Sequence, residues 1–548
     1  MTAPRTLPEA FQRVVAKQPD LVALRTPGDE VTYTWGQYAD AVRRIAGGLA
    51  ALGVRRGDTV AAMLTNRPEF HLTETAATHL GAATFSIYNT NPPEQIRYVV
   101  DHSGAKIVIT ERQFADRVRT AGSSVEHVLV VDDSDLERLE SPAGFDFDAR
   151  WREVEPSDVL CLIYTSGTTG PPKGVEHTHA SMLAQATAVE ALFPMHGDDT
   201  TVSFLPSAHA VDRAFNHYLA ARYGFQVTDI ADPRQLLAAL VELRPTTLAA
   251  VPRTWEKLKM AVDARMREDP RLAAAFTERR PEAAAEIRSA LGLDRLRWSM
   301  SGGAPIAQHV FEFLQRLGLP ISEAWGMSEC GVATAMPAPK SRLNTAGKAL
   351  TGVELRLDEQ GQLLVRAPFL MRGYRNDPSK TAEAIDPDGW LHTGDLARID
   401  VDGYVRIIGR QKELIINASG KNMSPSNIEN TIAAESPLIG TITAIGDKRP
   451  YNVALITLDP QTAPAYAAEL GLAADPRVLA TDARIIATIQ QAVDGGNAKL
   501  SRIEQIKKFT ILPVYWLPGG DEVTPTLKLK RDPIAAKYAA QIESLYDT

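Results

Sequence analysis

Apolar positions along the first three quarters of the chain follow two alternating periods. "TWGQYADAVRRIAGGLAALGV" repeats apolar residues at helical spacing, and the short apolar run "DTVAAML" follows a turn. "EQIRYVVDHSGA" and "KIVIT" repeat that order, and "HVLVVDD" predicts another strand. "DVLCLIY", "TTLAAV" and "RLRWSMSG" supply further strand candidates. The Ala- and Arg-rich piece from Ala261 to Leu293 predicts helix, broken at Pro270 and Pro281. Such alternation predicts an α/β architecture with largely parallel, buried sheets.

The pattern changes after "GYVRIIGRQKELI". "GYVRII" and "KELIIN" predict two strands around a tight Gly409-Arg410 turn. "SPSNIENTIAAE" predicts a helix, started either by Ser424 as cap with Pro425 at the first position or by a capping box of Ser426 and Glu429. "TITAIGD" and "NVALITLD" predict strands. A boundary is therefore expected near Gln411, between a large body (residues 1–410) and a smaller α+β domain (residues 411–548) acting as a mobile lid over a cleft.

Composition narrows the function classes. A net charge of -8 and a pI of about 5.9 weigh against nucleic acid or an anionic membrane as partner, since both attract basic faces. Cys161 and Cys330 lie far apart, with no CxxC or His-rich spacing, so neither a metal cluster nor a disulfide framework is expected. The first 20 residues lack an apolar core and a cleavage pattern, and no apolar run approaches the ~20 residues of a spanning helix. A cytoplasmic protein without an integral membrane span is the expectation.

Chemistry concentrates first in "YTSGTTGPPKGV", Tyr164 to Val175. A strand turning through Gly167 and Gly170 would present backbone N–H groups together with the hydroxyls of Thr165, Ser166, Thr168 and Thr169. Lys173 would add a point charge. Such a nest holds phosphate oxygens. It is not a Walker A loop, because Pro172 stands where the second glycine belongs and Gly174 follows the lysine. A magnesium ligand must then come from elsewhere, and "EAWGMSE" (Glu323 to Glu329) offers Glu329, with Trp325 as a face for a base. "SGGAPI" is a glycine turn suited to close backbone approach. Asp395 in "WLHTGDLARID" could accept two ribose hydroxyls, with Arg410 of "GRQKEL" as a second donor. In "TPTLKLKRDPI" an extended chain would put Lys528 and Lys530 on one face and Leu527 and Leu529 on the other.

In this order and spacing the motifs resemble the acyl-adenylating superfamily of acyl-CoA synthetases, nonribosomal peptide adenylation domains and firefly luciferase. The resemblance covers nearly the whole chain. "LPSAHAVDR" and "TPTLKLKR" look most like its long-chain fatty acyl-CoA synthetase branch, although Asp212 stands where that branch usually carries glutamate. The resemblance implies that Thr165, Ser166, Gly167, Thr168, Thr169 and Lys173 wrap the β- and γ-phosphates of ATP. Glu329 would bind Mg²⁺, and Ser328 would reach the α-phosphate. Gly303, Ala304, Glu323, Ala324 and Trp325 would form the adenine slot, with Asp395 and Arg410 on the ribose. His209 would border the substrate carboxylate, Lys528 would bridge it to the α-phosphate, and Lys412 would be the hinge. Val211, Arg213, Met300, Gly331 and Val332 would line the acyl pocket.

The implied reaction forms acyl-AMP from a carboxylic acid and ATP, then acyl-CoA from CoA. A fatty acid is the first expectation for the acid, and an aryl or steroidal acid the second. Twenty residues follow Lys528 (548 minus 528), so a fused carrier domain is not expected. A stand-alone carrier protein or an amine could still replace CoA as acceptor. A luciferase-like oxidoreductase and a non-catalytic nucleotide sensor are the rival classes. Retention of Lys528, Glu329 and Asp395 together speaks against the sensor.

Overall fold

The computed structural model describes residues 3–122, 124–165, 171–418, 421–524 and 528–547. Among them the largest sheet has seven strands, in the order Gly373–Tyr374, Lys173–Thr178, Val159–Thr165, Ala83–Ser86, Thr59–Met63, Ile107–Thr110 and His127–Val130. The last five run parallel, and Lys173–Thr178 lies antiparallel to its neighbour. Ala83–Ser86 and Ile107–Thr110 are buried at every position, as parallel strands covered on both faces must be. Helices cover them. Trp35–Ala51 opens with a capping box of Thr34 and Gln37 and buries Trp35, Tyr38, Val42, Ile45 and Leu49 along one stripe.

Two smaller parallel layers complete the body. Thr200–Ser203, Gln226–Asp229 and Val22–Arg25 form one, with Thr32–Thr34 antiparallel at its edge. Thr247–Ala250, Trp298–Ser301 and Ile321–Glu323 form the other. The predicted breaks between Ala261 and Leu293 appear as three helices, Pro252–Glu268, Pro270–Thr277 and Pro281–Ala290; each proline stands at a helix start, where its missing N–H costs nothing.

The smaller domain is built on Ile439–Ile445, Asn452–Leu458 and Ile506–Ile511. The central strand is buried throughout, and its side chains divide by parity. Ala454, Ile456 and Leu458 meet the helices Pro425–Ala433 and Ala483–Asn497 through Ile428, Ile432, Ile485 and Ile489. Val453 and Leu455 face the other way, against Trp516, Ile534, Tyr538 and Ile542 of the C-terminal segment. Ser424 caps the Pro425–Ala433 helix by accepting Asn427 N–H. Glu429 does not form the alternative capping box; its carboxylate accepts Ala444 N–H and both terminal nitrogens of Arg531.

One expectation is corrected. There is no hairpin at Gly409-Arg410: Val405–Arg410 runs on through both residues, with a register shift just before Gly409, and pairs with Leu391–Ile399 so that Arg410 stands opposite Asp395. A 3₁₀ turn, Gln411–Glu413, follows, and Ile415–Ile416 pairs with Asn422–Met423 in a separate ribbon. In the terminal segment Thr524 N–H donates to Lys528 O, Lys530 N–H to Glu522 O, and Val523 bridges Leu529, so residues 528–530 pair antiparallel with 522–524; Leu527 lies outside the described residues. Lys530 Nζ donates to Gly520 O.

Candidate active site

The loops that leave the C-terminal ends of Thr247–Ala250, Trp298–Ser301 and Ile321–Glu323 open on one side of the body, where ligands bind in open parallel sheets. Ala324 N–H donates to Ser301 O, and Gly302 N–H to Ala250 O. Gly303 turns the chain at φ +84°, which favours glycine, and leaves Gly303 and Ala304 exposed at the rim. Burial of Glu323 at the end of its strand pushes its carboxyl up to about 7, against the opposing hydrogen bond from Ile306.

The "EAWGMSE" stretch becomes a hairpin, Trp325–Met327 against Gly331–Ala335. Its tight crossing explains Gly326, where a Cβ would fall 2.0 Å from Gly331 O. Trp325 is buried, and its Nε1–H donates to Asp395 Oδ2 at 2.8 Å. Arg410 Nε meets Asp395 Oδ1 at 3.0 Å. Burial nevertheless holds the Asp395 carboxyl above the usual range, against the pull of Arg410, the indole N–H and Lys528. The partners of "WLHTGD" and "GRQKEL" thus meet across two adjacent antiparallel strands.

Glu329 is 8% exposed, and its Oε1 accepts the Tyr374 hydroxyl at 2.8 Å. Its other oxygen has no hydrogen-bond partner among the described residues. Lys173 Nζ lies 4.4 Å from the centre of the Tyr374 ring. Tyr374 therefore joins the phosphate-loop lysine to the candidate metal carboxylate. It was missed because a tyrosine in a two-residue strand shows no period; only its glycine neighbour, in "MRGYRNDP", marks the spot. His177 was also missed: its Nε2 donates to Ser328 O at 2.7 Å and fixes the backbone of the hydroxyl residue. Thr165 and Lys173 face each other across the hairpin that carries the glycine-rich loop. Ser166, Gly167, Thr168 and Thr169 lie outside the described residues.

His209 begins the short helix Ala210–Asp212, and its Nδ1 accepts Val211 N–H at 3.2 Å. Burial and then Lys528 pull the imidazole down to about 4. The ring is neutral near pH 7, and because Nδ1 is an acceptor its proton sits on Nε2. The loop delivering it is anchored from behind: Asn66 Nδ2 donates to Leu205 O at 2.7 Å, and Ser207 Oγ meets Ser86 Oγ at 3.2 Å. Arg213 is 1% exposed and turns inward, its guanidinium on Glu74, Ser86, Thr84 and Tyr218. Met300 is buried mid-strand, while Val211, Gly331 and Val332 are half-buried. Gly331 sits at φ +56°, where a Cβ would fall 1.7 Å from Gln185 Nε2, so Gln185 joins this wall.

Lys528 comes from the smaller domain, yet it lies within electrostatic reach of His209, Glu329, Asp395, Arg410 and Glu413. Enclosure by protein and then Arg410 pull its ammonium below the usual range, against the opposing pull of Glu329, Asp395 and Glu413. The side chain is nonetheless exposed to solvent, so the enclosure that lowers its pKa is partial. Thr524 holds its backbone from both sides, donating N–H to Lys528 O and accepting Lys528 N–H on Oγ1. Lys412 is exposed in the Gln411–Glu413 turn between the two domains.

The profile of the AMP-binding enzyme family matches residues 11–375, and that of the AMP-binding enzyme C-terminal domain matches residues 412–548. The chain belongs to the AMP-binding enzyme family. It is 49% identical over 444 residues to a Mycobacterium tuberculosis protein named "Putative fatty-acid–CoA ligase fadD11", covering 75% of this chain and 78% of that one. It is 34% identical over 559 residues to the long-chain-fatty-acid–CoA ligase FadD15 of the same species, covering 94% and 92%. The adenylation domain of a carboxylate reductase from Mycobacterium chelonae shares the fold at a TM-score of 0.79 and 21% identity, over 99% of this chain and 91% of that one. The anthranilate CoA ligase AuaEII, solved with anthranoyl-AMP, does so at 0.76 and 19%, over 99% of each chain.

Proposed function

We propose that this chain is an ATP-dependent, AMP-forming fatty-acid–CoA ligase of the cytoplasm. The observation that carries the reading is that Lys528, from the smaller domain, lies within electrostatic reach of Glu329, Asp395, Arg410 and His209 of the larger one. Similarity to FadD15 over 94% of the chain supports a fatty acid as substrate.

A carboxylate cannot expel oxide, so it needs a better leaving group. Its oxygen attacks the α-phosphorus of ATP, the bond to pyrophosphate breaks, and acyl-AMP forms. The thiolate of CoA then attacks the acyl carbon and AMP leaves. In the first step an anion approaches a polyanion. Lys528 would sit between carboxylate and α-phosphate, and Lys173 with the glycine-rich loop would hold the outer phosphates. Neutral His209 would offer its Nε2–H to the acid without adding charge. Asp395 would take the ribose hydroxyls, with Arg410 orienting it.

Glu329 fits a magnesium ion. Its carboxylate is buried, one oxygen is held by Tyr374, and the other is without a partner among the described residues. Those residues offer no cluster of three or more His, Cys, Asp or Glu side chains for a metal, which suits an ion held mostly by phosphates and water. When bound, the ion would neutralise charge on the phosphates.

The test is acyl-CoA formation, followed by mass spectrometry, from ATP, CoA and a panel of fatty, aryl and steroidal acids. Preference for medium or long fatty acids is expected. Preference for aryl or steroidal acids would move the acid class. AMP release without any thioester would move the acceptor to a carrier protein or an amine.

A further inference from the structure

Outside the nucleotide cleft, a compact set of contacts ties the smaller domain to the body. Arg253, at the start of Pro252–Glu268, donates Nη2–H to Ile439 O at 3.1 Å and to Asp459 Oδ2 at 3.2 Å. Its Nη1 meets Glu256 Oε2, on its own helix, at 3.3 Å. One turn on, Lys257 Nζ donates to Gln461 Oε1 at 2.8 Å. From the other side, Asn430 Nδ2 donates to Pro305 O, inside "SGGAPI", at 2.9 Å. His309 stands 3.4 Å from Glu435, whose carboxylate Lys499 also holds at 2.5 Å, and Ala434 packs into the second core of the body.

Arg253 is the centre of this set. It stands between two carboxylates from opposite domains, Glu256 (6% exposed) and Asp459 (10% exposed). Removing the guanidinium would lose its bonds and also leave both acids facing each other across the interface, poorly hydrated. Asp459 divides its oxygens: Oδ1 accepts Gln461 N–H and Thr462 N–H and holds its own turn, while Oδ2 takes Arg253. The charge on Asp459 therefore serves the partner domain, whereas an amide oxygen would suffice for the turn.

We propose that Arg253 is a positioning residue for the first half-reaction: through Asp459 and Ile439 it holds the smaller domain where Lys528 reaches the cleft. The proposal rests on the adenylation reading above. Lys528 rides on the same domain as Asp459, and the charge it offsets exists only while ATP and the carboxylate meet. Thioester formation has no triphosphate to neutralise, and a thiolate must reach the carbon beside Lys528, so that step does not need the latch closed.

The test compares full-length wild type with Arg253→Ala, Arg253→Lys and Asp459→Asn. Two rates are read: palmitate-dependent ATP–pyrophosphate exchange, and thioester formation from supplied palmitoyl-AMP and CoA. Arg253→Ala should lower exchange about tenfold or more, as truncation of an enclosed charge pair between two surfaces does, while thioester formation stays within about twofold. Asp459→Asn should follow in the same direction, and Arg253→Lys should recover much of the loss. Equal loss in both half-reactions, or no loss in either, would overturn the proposal. If Arg253→Ala fails to fold, Asp459→Asn decides, because it keeps the turn. If wild type gives no exchange with palmitate, it is the substrate reading that has failed. Hydrogen exchange over residues 302–309, which needs no acid, then decides the latch: faster exchange in Asp459→Asn supports it, and unchanged exchange overturns it.

Discussion

Asp395 has both oxygens engaged before any ligand arrives, one by Arg410 Nε and one by Trp325 Nε1–H. Each oxygen keeps a further lone pair, so the two partners fix the direction in which the carboxylate can accept. In the proposed nucleotide site Trp325 would thereby act as a wall and as an orienting donor. Replacing Trp325 by Phe keeps the wall and removes the donor. The loss of one hydrogen bond to a carboxylate, about 1.5 kcal/mol, should raise the KM for ATP roughly tenfold with a smaller change in kcat. Steady-state kinetics at varied ATP checks this; an unchanged KM would mean that Arg410 alone orients Asp395. The types of these residues were readable from the sequence because their motifs are contiguous. Their pairings were not: Tyr374 with Glu329, His177 with Ser328 and Gln185 beside Gly331 depend on strands distant in sequence coming into register.

At the scale of elements, the segment after His209 shows how a loop is fixed from its buried side. Ala210–Asp212 runs into a π-helical stretch, Arg213–Tyr218, a widening found at functional sites. Asp212 is fully buried, accepts Ser203 Oγ–H and Asn216 Nδ2–H, and is pushed up to about 7 by burial, against those bonds and the nearby His71. Its folded pKa lies above its unfolded one, so its contribution to stability is full below the unfolded value and is lost as pH rises through about 7. Asp212→Asn removes that loss. Between about pH 4 and pH 7 the thermal midpoint of wild type should fall relative to that of Asp212→Asn, as scanning calorimetry would show; parallel curves across that window would contradict it. Element types were legible wherever a period ran long enough, as in the Trp35–Ala51 helix and the strands that follow it. The Gly409-Arg410 region misled because glycine beside a charged run has the composition of a turn. There the strand continues because Gly409, at a φ of +153° that favours glycine, absorbs a register shift and Arg410 gains Asp395 opposite.

Across the whole molecule, the division of labour follows the two units. The body carries the parallel sheets and, at their C-terminal ends, the candidate nucleotide cleft; the smaller domain carries Lys528 and two cores of its own. No helix among the described residues is long and apolar enough to cross a membrane. The Lys528 loop is braced within its own domain by Thr524, by the Lys530 bond to Gly520 O and by Lys537 on Glu522. Held in this way on a separate domain, Lys528 would serve a single step, and this is the central claim. The most direct measurement is incorporation of labelled pyrophosphate into ATP without CoA, for wild type and Lys528→Ala, beside thioester formation from supplied acyl-AMP. The account predicts acid-dependent exchange in wild type, a loss of at least about a hundredfold in Lys528→Ala, and thioester formation largely retained. Exchange that needs no acid, or equal loss of both half-reactions in Lys528→Ala, would contradict it.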